Sequence, residues 1–123
     1  MGDQVLHFEI ISKDNDQAIA FYGELFGWKI DSDNPFNYGR VYEDDNGGGI
    51  GGGLGAAMGD SPGYVTVYVD VPDCEAALAK AESLGAERVM GPDEIMPGFT
   101  IGIFADPEGK MIGVMHMEED QTS

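Results

Sequence analysis

The sequence predicts an α+β fold of two tandem βαβββ modules, their strands forming a curled mixed sheet around a cleft. Three observations predict it. Residues 4–11 and 64–71 both read as strands, and the second alternates strictly. Each is followed by apolar residues at helical spacing that stop at a glycine, Gly27 and Gly85. Three more strand patterns then follow each helix, and Asp60-Ser61-Pro62-Gly63 punctuates the chain between the halves. The reading is a single domain over residues 1–123, with module one at about 4–58, module two at about 62–117 and a polar tail at 118–123.

In module one, QVLHFEII is the first strand and Lys13-Asp14-Asn15-Asp16 offers helix N-caps. Ala18, Ile19, Tyr22, Leu25 and Phe26 form the buried stripe of the helix. Trp28-Lys29-Ile30 opens the second strand and Tyr38 to Glu43 forms the third, which ends at the turn Asp44-Asp45-Asn46-Gly47. Residues Gly47 to Gly55 hold seven glycines in nine positions. No Gly-Lys-Ser/Thr closes that run and no helical pattern follows it, which argues against a phosphate loop. A glycine-rich fourth strand that lets another backbone approach fits Ile50 and Leu54 better. In module two, Val65, Val67, Val69 and Val71 share one strand face, and Tyr64, Thr66, Tyr68 and Asp70 the other. Asp73 caps a helix whose stripe is Cys74, Ala77, Leu78, Ala81 and Leu84. Glu87 to Met90, Phe99 to Ala105 and Met111 to Met117 are the remaining strands.

Charge restricts the partners. The chain carries 23 acids against 6 bases, a net −17, and its basic residues are scattered singly. A nucleic acid needs a basic stripe, and an anionic membrane surface is disfavoured for the same reason. The acid excess is even along the chain. It reads either as a solvated surface, with adaptation to high salt one version of that, or as a preference for a cationic ligand. Cys74 alone excludes an internal disulfide and a paired-cysteine zinc site. With no apolar run of membrane-spanning length and no secretory leader, the expected address is the cytoplasm.

The run His7-Phe8-Glu9-Ile10, then Ala18 to Phe21-Tyr22 and Phe26-Gly27-Trp28, resembles the first module of the vicinal-oxygen-chelate superfamily. That superfamily holds glyoxalases, extradiol dioxygenases and bleomycin- and fosfomycin-resistance proteins. Tyr64-Val65-Thr66-Val67, the helix from Cys74 to Gly85 and the hairpin Asp106-Pro107-Glu108-Gly109 resemble its second module. The resemblance implies the glyoxalase/bleomycin resistance/dioxygenase fold and paired modules, with homodimerisation expected. It also implies a divalent metal held by side chains of the first, fourth, fifth and eighth strands, with open positions for two substrate oxygens. At those positions this chain has His7, the glycines Gly51 to Gly53, Thr66 and Gly113. Only His7 matches, and three protein ligands are the usual minimum. Glu9 shares a face with His7, but His116 has the wrong parity to join them. No bound metal and no other cofactor are therefore expected.

The expected cleft wall comprises His7, Glu9, Trp28, Thr66, Tyr68 and Met115, apolar with a few polar anchors. Met111, Met115 and Met117 are either a pliable ligand wall or core filling. His7 is either a hydrogen-bonded remnant or a catalytic group. Cys74 lies in its helix's buried stripe, which argues against a nucleophile, and turn chemistry accounts for the Asp106 hairpin. Two functions follow. The first is a metal-free member that binds a small molecule, cationic or aromatic, as the bleomycin-resistance branch does. The second is a glyoxalase-like lyase or isomerase, or a dioxygenase, with His7 and Glu9 as metal ligands or as acid and base.

Overall fold

The computed structural model describes residues 2–42 and 49–118. The expected end of the third strand at Glu43, the turn at 44–47 and the tail from 119 onward lie outside them. The chain forms two compact units, Leu6–Thr66 and Val67–Ser123 with Met1–Val5, divided inside two strands. The elements follow the predicted order. They are β1 (Val5–Ser12), α1 (Asn15–Phe26), β2 (Ile30–Asp31), β3 (Gly39–Val41) and β4 (Gly51–Ala56), then β5 (Gly63–Asp70), α2 (Cys74–Ser83), β6 (Glu87–Met96), β7 (Phe99–Ala105) and β8 (Met111–Met117).

In the first unit the strands lie in the order β2-β3-β4-β1. β1 and β4 are parallel, and the other pairs are antiparallel. Helix α1 starts where the Asp14 carboxylate accepts the Gln17 N–H at 3.0 Å. It ends at Gly27, whose φ of 70° suits a residue without a Cβ. Buried Asn15 then ties the helix to the sheet, its amide donating to the carbonyls of Leu54 and Asn37 at 3.0 and 2.8 Å. Phe8 and Ile19 pack on this side, against Gly52 and Gly39.

In the second unit the order is β5-β8-β7-β6, with β5 parallel to β8. Asp73 caps α2 by accepting the Ala76 N–H at 3.0 Å. Leu78, Cys74, Val71 and Val114 make the buried core between α2 and this sheet. Gly102 of β7 makes room for it, since a Cβ there would meet a Leu78 methyl at 2.7 Å. Arg88 fastens β6 to α2 through Glu75 and Glu82, at 2.8 and 3.0 Å. The hairpin before β8 is turn chemistry: Asp106 accepts the N–H groups of Glu108 and Lys110, both at 2.9 Å.

Five local readings are corrected. The second strand begins at Ile30 rather than Trp28, and it is cut short because Asp31 and Asn34 turn their carboxylate and amide oxygens onto following N–H groups. The third strand begins at Gly39 and the fourth at Gly51, leaving Tyr38 and Ile50 just outside. The sixth runs on past Met90 to Met96 through three register shifts. Leu25, Phe26 and Leu84 are exposed at the helix ends, and Leu84, 70% exposed, is already the cap of α2.

Leu78 is fully buried, so Leu78→Ala is expected to cost about 2–5 kcal/mol by leaving a cavity. Leu84→Ala should stay within about 0.5 kcal/mol. Urea titration of the two variants checks both values.

Candidate functional site

Pairing register sets the site. His7 lies beside Gly51, and Glu9 lies beside Gly53, which in turn lies beside Arg40. Partners in register share a sheet face, so β1 and β3 present His7, Glu9 and Arg40 on the face opposite α1. Tyr38 joins them by parity. The glycines between these strands carry no side chains, and the Tyr38 ring lies directly over Gly53, where a Cβ would fall inside it.

That placement makes a hydrogen-bonded chain. The Tyr38 hydroxyl donates to Glu9 Oε2 at 2.8 Å. Its oxygen is left to accept from His7 Nε2, 3.3 Å away, which places the imidazole proton on that nitrogen. Burial holds the His7 pKa below its ordinary value, and the nearby Arg40 guanidinium adds to the shift. His7 is thus a neutral imidazole at pH 7. The Tyr64 phenol is shifted up, by burial and then by the Glu9 charge.

Beside this chain lies an open pocket of about 530 Å³ lined by Leu6, His7, Arg40, Val41, Tyr42, Gly51 and Gly52. The Arg40 guanidinium stands 4.9 Å from the centre of the Tyr42 ring, a cation–π contact. Tyr38, Arg40 and Tyr42 escaped the sequence reading. Their alternation beside a strand of glycines was the available signal, because a strand without side chains leaves its volume to its neighbours.

The other expected wall residues divide among separate places. Trp28 packs against the rings of Phe8, Tyr22 and Phe26 at separations of 5.3, 6.0 and 5.0 Å. Thr66 and Tyr68 are buried, 3% and 5% exposed. Tyr68 lies against Gly113, its register partner, and Met115 is half-buried two residues along the same face of β8. His116 bonds instead to the Val71 carbonyl at 3.0 Å, on the face that carries Val114 into the α2 core, as its parity required. Cys74 is buried with its thiol shifted up, by burial first and then by Asp73 and Asp70, which makes a poor nucleophile.

A divalent metal fits these residues badly. Among the described residues, no group of three or more His, Cys, Asp or Glu side chains converges. The glycines at two expected ligand positions are covered by phenol rings, Gly53 by Tyr38 and Gly113 by Tyr68. No chemistry is routed through a metal here.

The chain belongs to the Glyoxalase/Bleomycin resistance protein/Dioxygenase superfamily, whose family model matches residues 4–114. No curated protein matches the sequence. Among solved structures it is similar to a superfamily member from Vibrio splendidus 12B01, with 14% identity and a TM-score of 0.64 over 94% of this chain and 99% of that one. It is also similar to the methylmalonyl-CoA epimerase of Mycobacterium tuberculosis, with 16% identity and a TM-score of 0.64 over 94% and 88%. The Streptomyces coelicolor methylmalonyl-CoA epimerase variant E43Q, in complex with 2-nitronate-propionyl-CoA, gives 14% and 0.63 over 95% and 99%. At these identities the likeness is one of fold.

Two outcomes are expected. Gly53→Ala should destabilise the chain by about 1–3 kcal/mol through the forced Tyr38 ring, and in a double-mutant cycle Tyr38→Ala should recover part of that loss. The folded pKa of His7 lies below the unfolded 6.5, so between the two values only the unfolded chain holds the proton. The stability tied to a neutral His7 is complete above pH 6.5 and falls as pH drops toward the folded pKa. His7→Gln should flatten that part of a stability-against-pH curve measured by thermal melting.

Proposed function

We propose that this chain is a metal-independent, small-molecule-binding member of its superfamily, with its ligand seated in the pocket between His7, Arg40 and Tyr42. The observation that carries the reading is the pair of phenol rings over Gly53 and Gly113, which fill the space that metal-ligating side chains would need. The pocket, about 530 Å³, has the size of small-molecule sites, and its wall mixes apolar side chains with a few polar groups. The epimerase complex shows a related fold accommodating a small organic ligand. A cytoplasmic homodimer is part of this reading, to be checked by light scattering and fractionation.

A second reading is an enzyme that uses His7 and Glu9 as acid and base, and the chain His7–Tyr38–Glu9 favours it. It requires His7→Ala to abolish a turnover that the wild type displays.

The test is elemental analysis of chain purified without tag or chelator, followed by thermal-shift screening of small organic acids, amines and neutral aromatics. We expect substoichiometric metal before and after incubation with divalent ions. A ligand at 100 times its Kd should add about 2.7 kcal/mol of stability. Stoichiometric iron, manganese, nickel or zinc would overturn the reading.

A further inference from the structure

Arg40 is one of two arginines among the six cations of this chain. Acids outnumber bases 23 to 6, so a guanidinium has carboxylates in abundance to pair with. Arg88 takes two, Glu75 and Glu82, and Lys110 takes Asp106 and Glu108. Arg40 has no ion-pair partner among the described residues. What it does have is the face of Tyr42 on one side and the pocket on the other. Stacking on a ring orients a guanidinium without using up its N–H donors. The fork of Arg40 therefore remains available for a planar, bidentate acceptor.

We infer that Arg40 is an anion subsite that takes the carboxylate of a small aromatic acid, whose ring lies over Gly51 and Gly52 against Tyr42. The inference rests on the small-molecule reading above and adds the chemical class of the ligand. The glycines let a flat body approach the sheet backbone closely. The neutral imidazole of His7 puts no competing cation in the pocket. Glu9 lies two strands from Arg40 in the same row, and its carboxylate accepts the Tyr38 hydroxyl.

The net charge of −17 argues for a cationic ligand, whereas the local arrangement argues for an anion. Distance decides between them. At physiological ionic strength exposed charges beyond about 8 Å are largely screened, while a guanidinium in contact with its ligand is not.

The experiment titrates the ¹⁵N-labelled full chain with 2-naphthoate, with its neutral amide and with 2-naphthylmethylamine, following backbone amides and the Arg40 Nε–H by NMR. The acid is expected to shift His7, Gly51, Gly52 and the Arg40 side chain, and to bind about tenfold more tightly than the amide, the size of one charge-assisted hydrogen bond. Arg40→Gln should weaken the acid about tenfold and leave the amide unchanged, with Arg40→Lys in between. Arg40 is exposed, so neither variant threatens the fold.

Equal binding of acid and amide, or an acid affinity unchanged in Arg40→Gln, would overturn the subsite. Tighter binding of the amine at the same amides would also overturn it while leaving the small-molecule reading in place. If none of the three probes binds, the subsite falls. The small-molecule reading is then judged separately by metal content and the broader screen.

Discussion

The first unit depends on a strand that brings almost no side chains of its own. Four of the six residues of β4 are glycine, and close packing requires that neighbours fill both of its faces. On the α1 side Phe8 covers Gly52, and Leu54, the one large residue of β4, is fully buried. On the opposite side the Tyr38 ring lies over Gly53, and its hydroxyl is thereby carried to Glu9 and His7. The polar chain at the site is thus a consequence of packing over a bare strand. The second unit repeats the device, with Tyr68 over Gly113 and Leu78 over Gly102.

The electrostatics follow from the same geometry. A carboxylate on a half-buried strand face is costly unless it is hydrogen-bonded, and the phenol supplies that bond to Glu9. Burial and Arg40 both disfavour a proton on His7, so the site combines one anion, one neutral imidazole and one guanidinium. In the second unit Asp106 is held below the ordinary carboxylate range mainly by the Lys110 and Glu108 N–H groups of its own turn.

Local rules with a single physical cause were legible in the sequence. Asp14 and Asp73 cap their helices, Gly27 ends α1 with a positive φ, and β7 and β8 span the expected residues. Strand parity placed His116 away from Gly113, and His7 and Glu9 together. What stayed hidden depended on register between strands far apart in sequence. Tyr38 reaches Glu9, and Arg40 shares its row, only because β3 pairs with β4 and β4 with β1, and a run of glycines gives no pattern from which to count that register. Trp28 lies just before β2, which is only two residues long, and its indole joins a ring cluster.

The irregularity of β6 bears on how the molecule behaves in company. Among the described residues of its unit it pairs only with β7, and its pairing slips between Arg88 and Met90, Met90 and Asp93, and Glu94 and Met96. Pro92 lacks an N–H, and Asp93 and Glu94 add like charges along the same rim. A flat, evenly spaced rim is a template on which another chain can add a strand, the first step toward fibrils. This rim is broken and charged, so crowding at high concentration finds no straight ladder to extend along it.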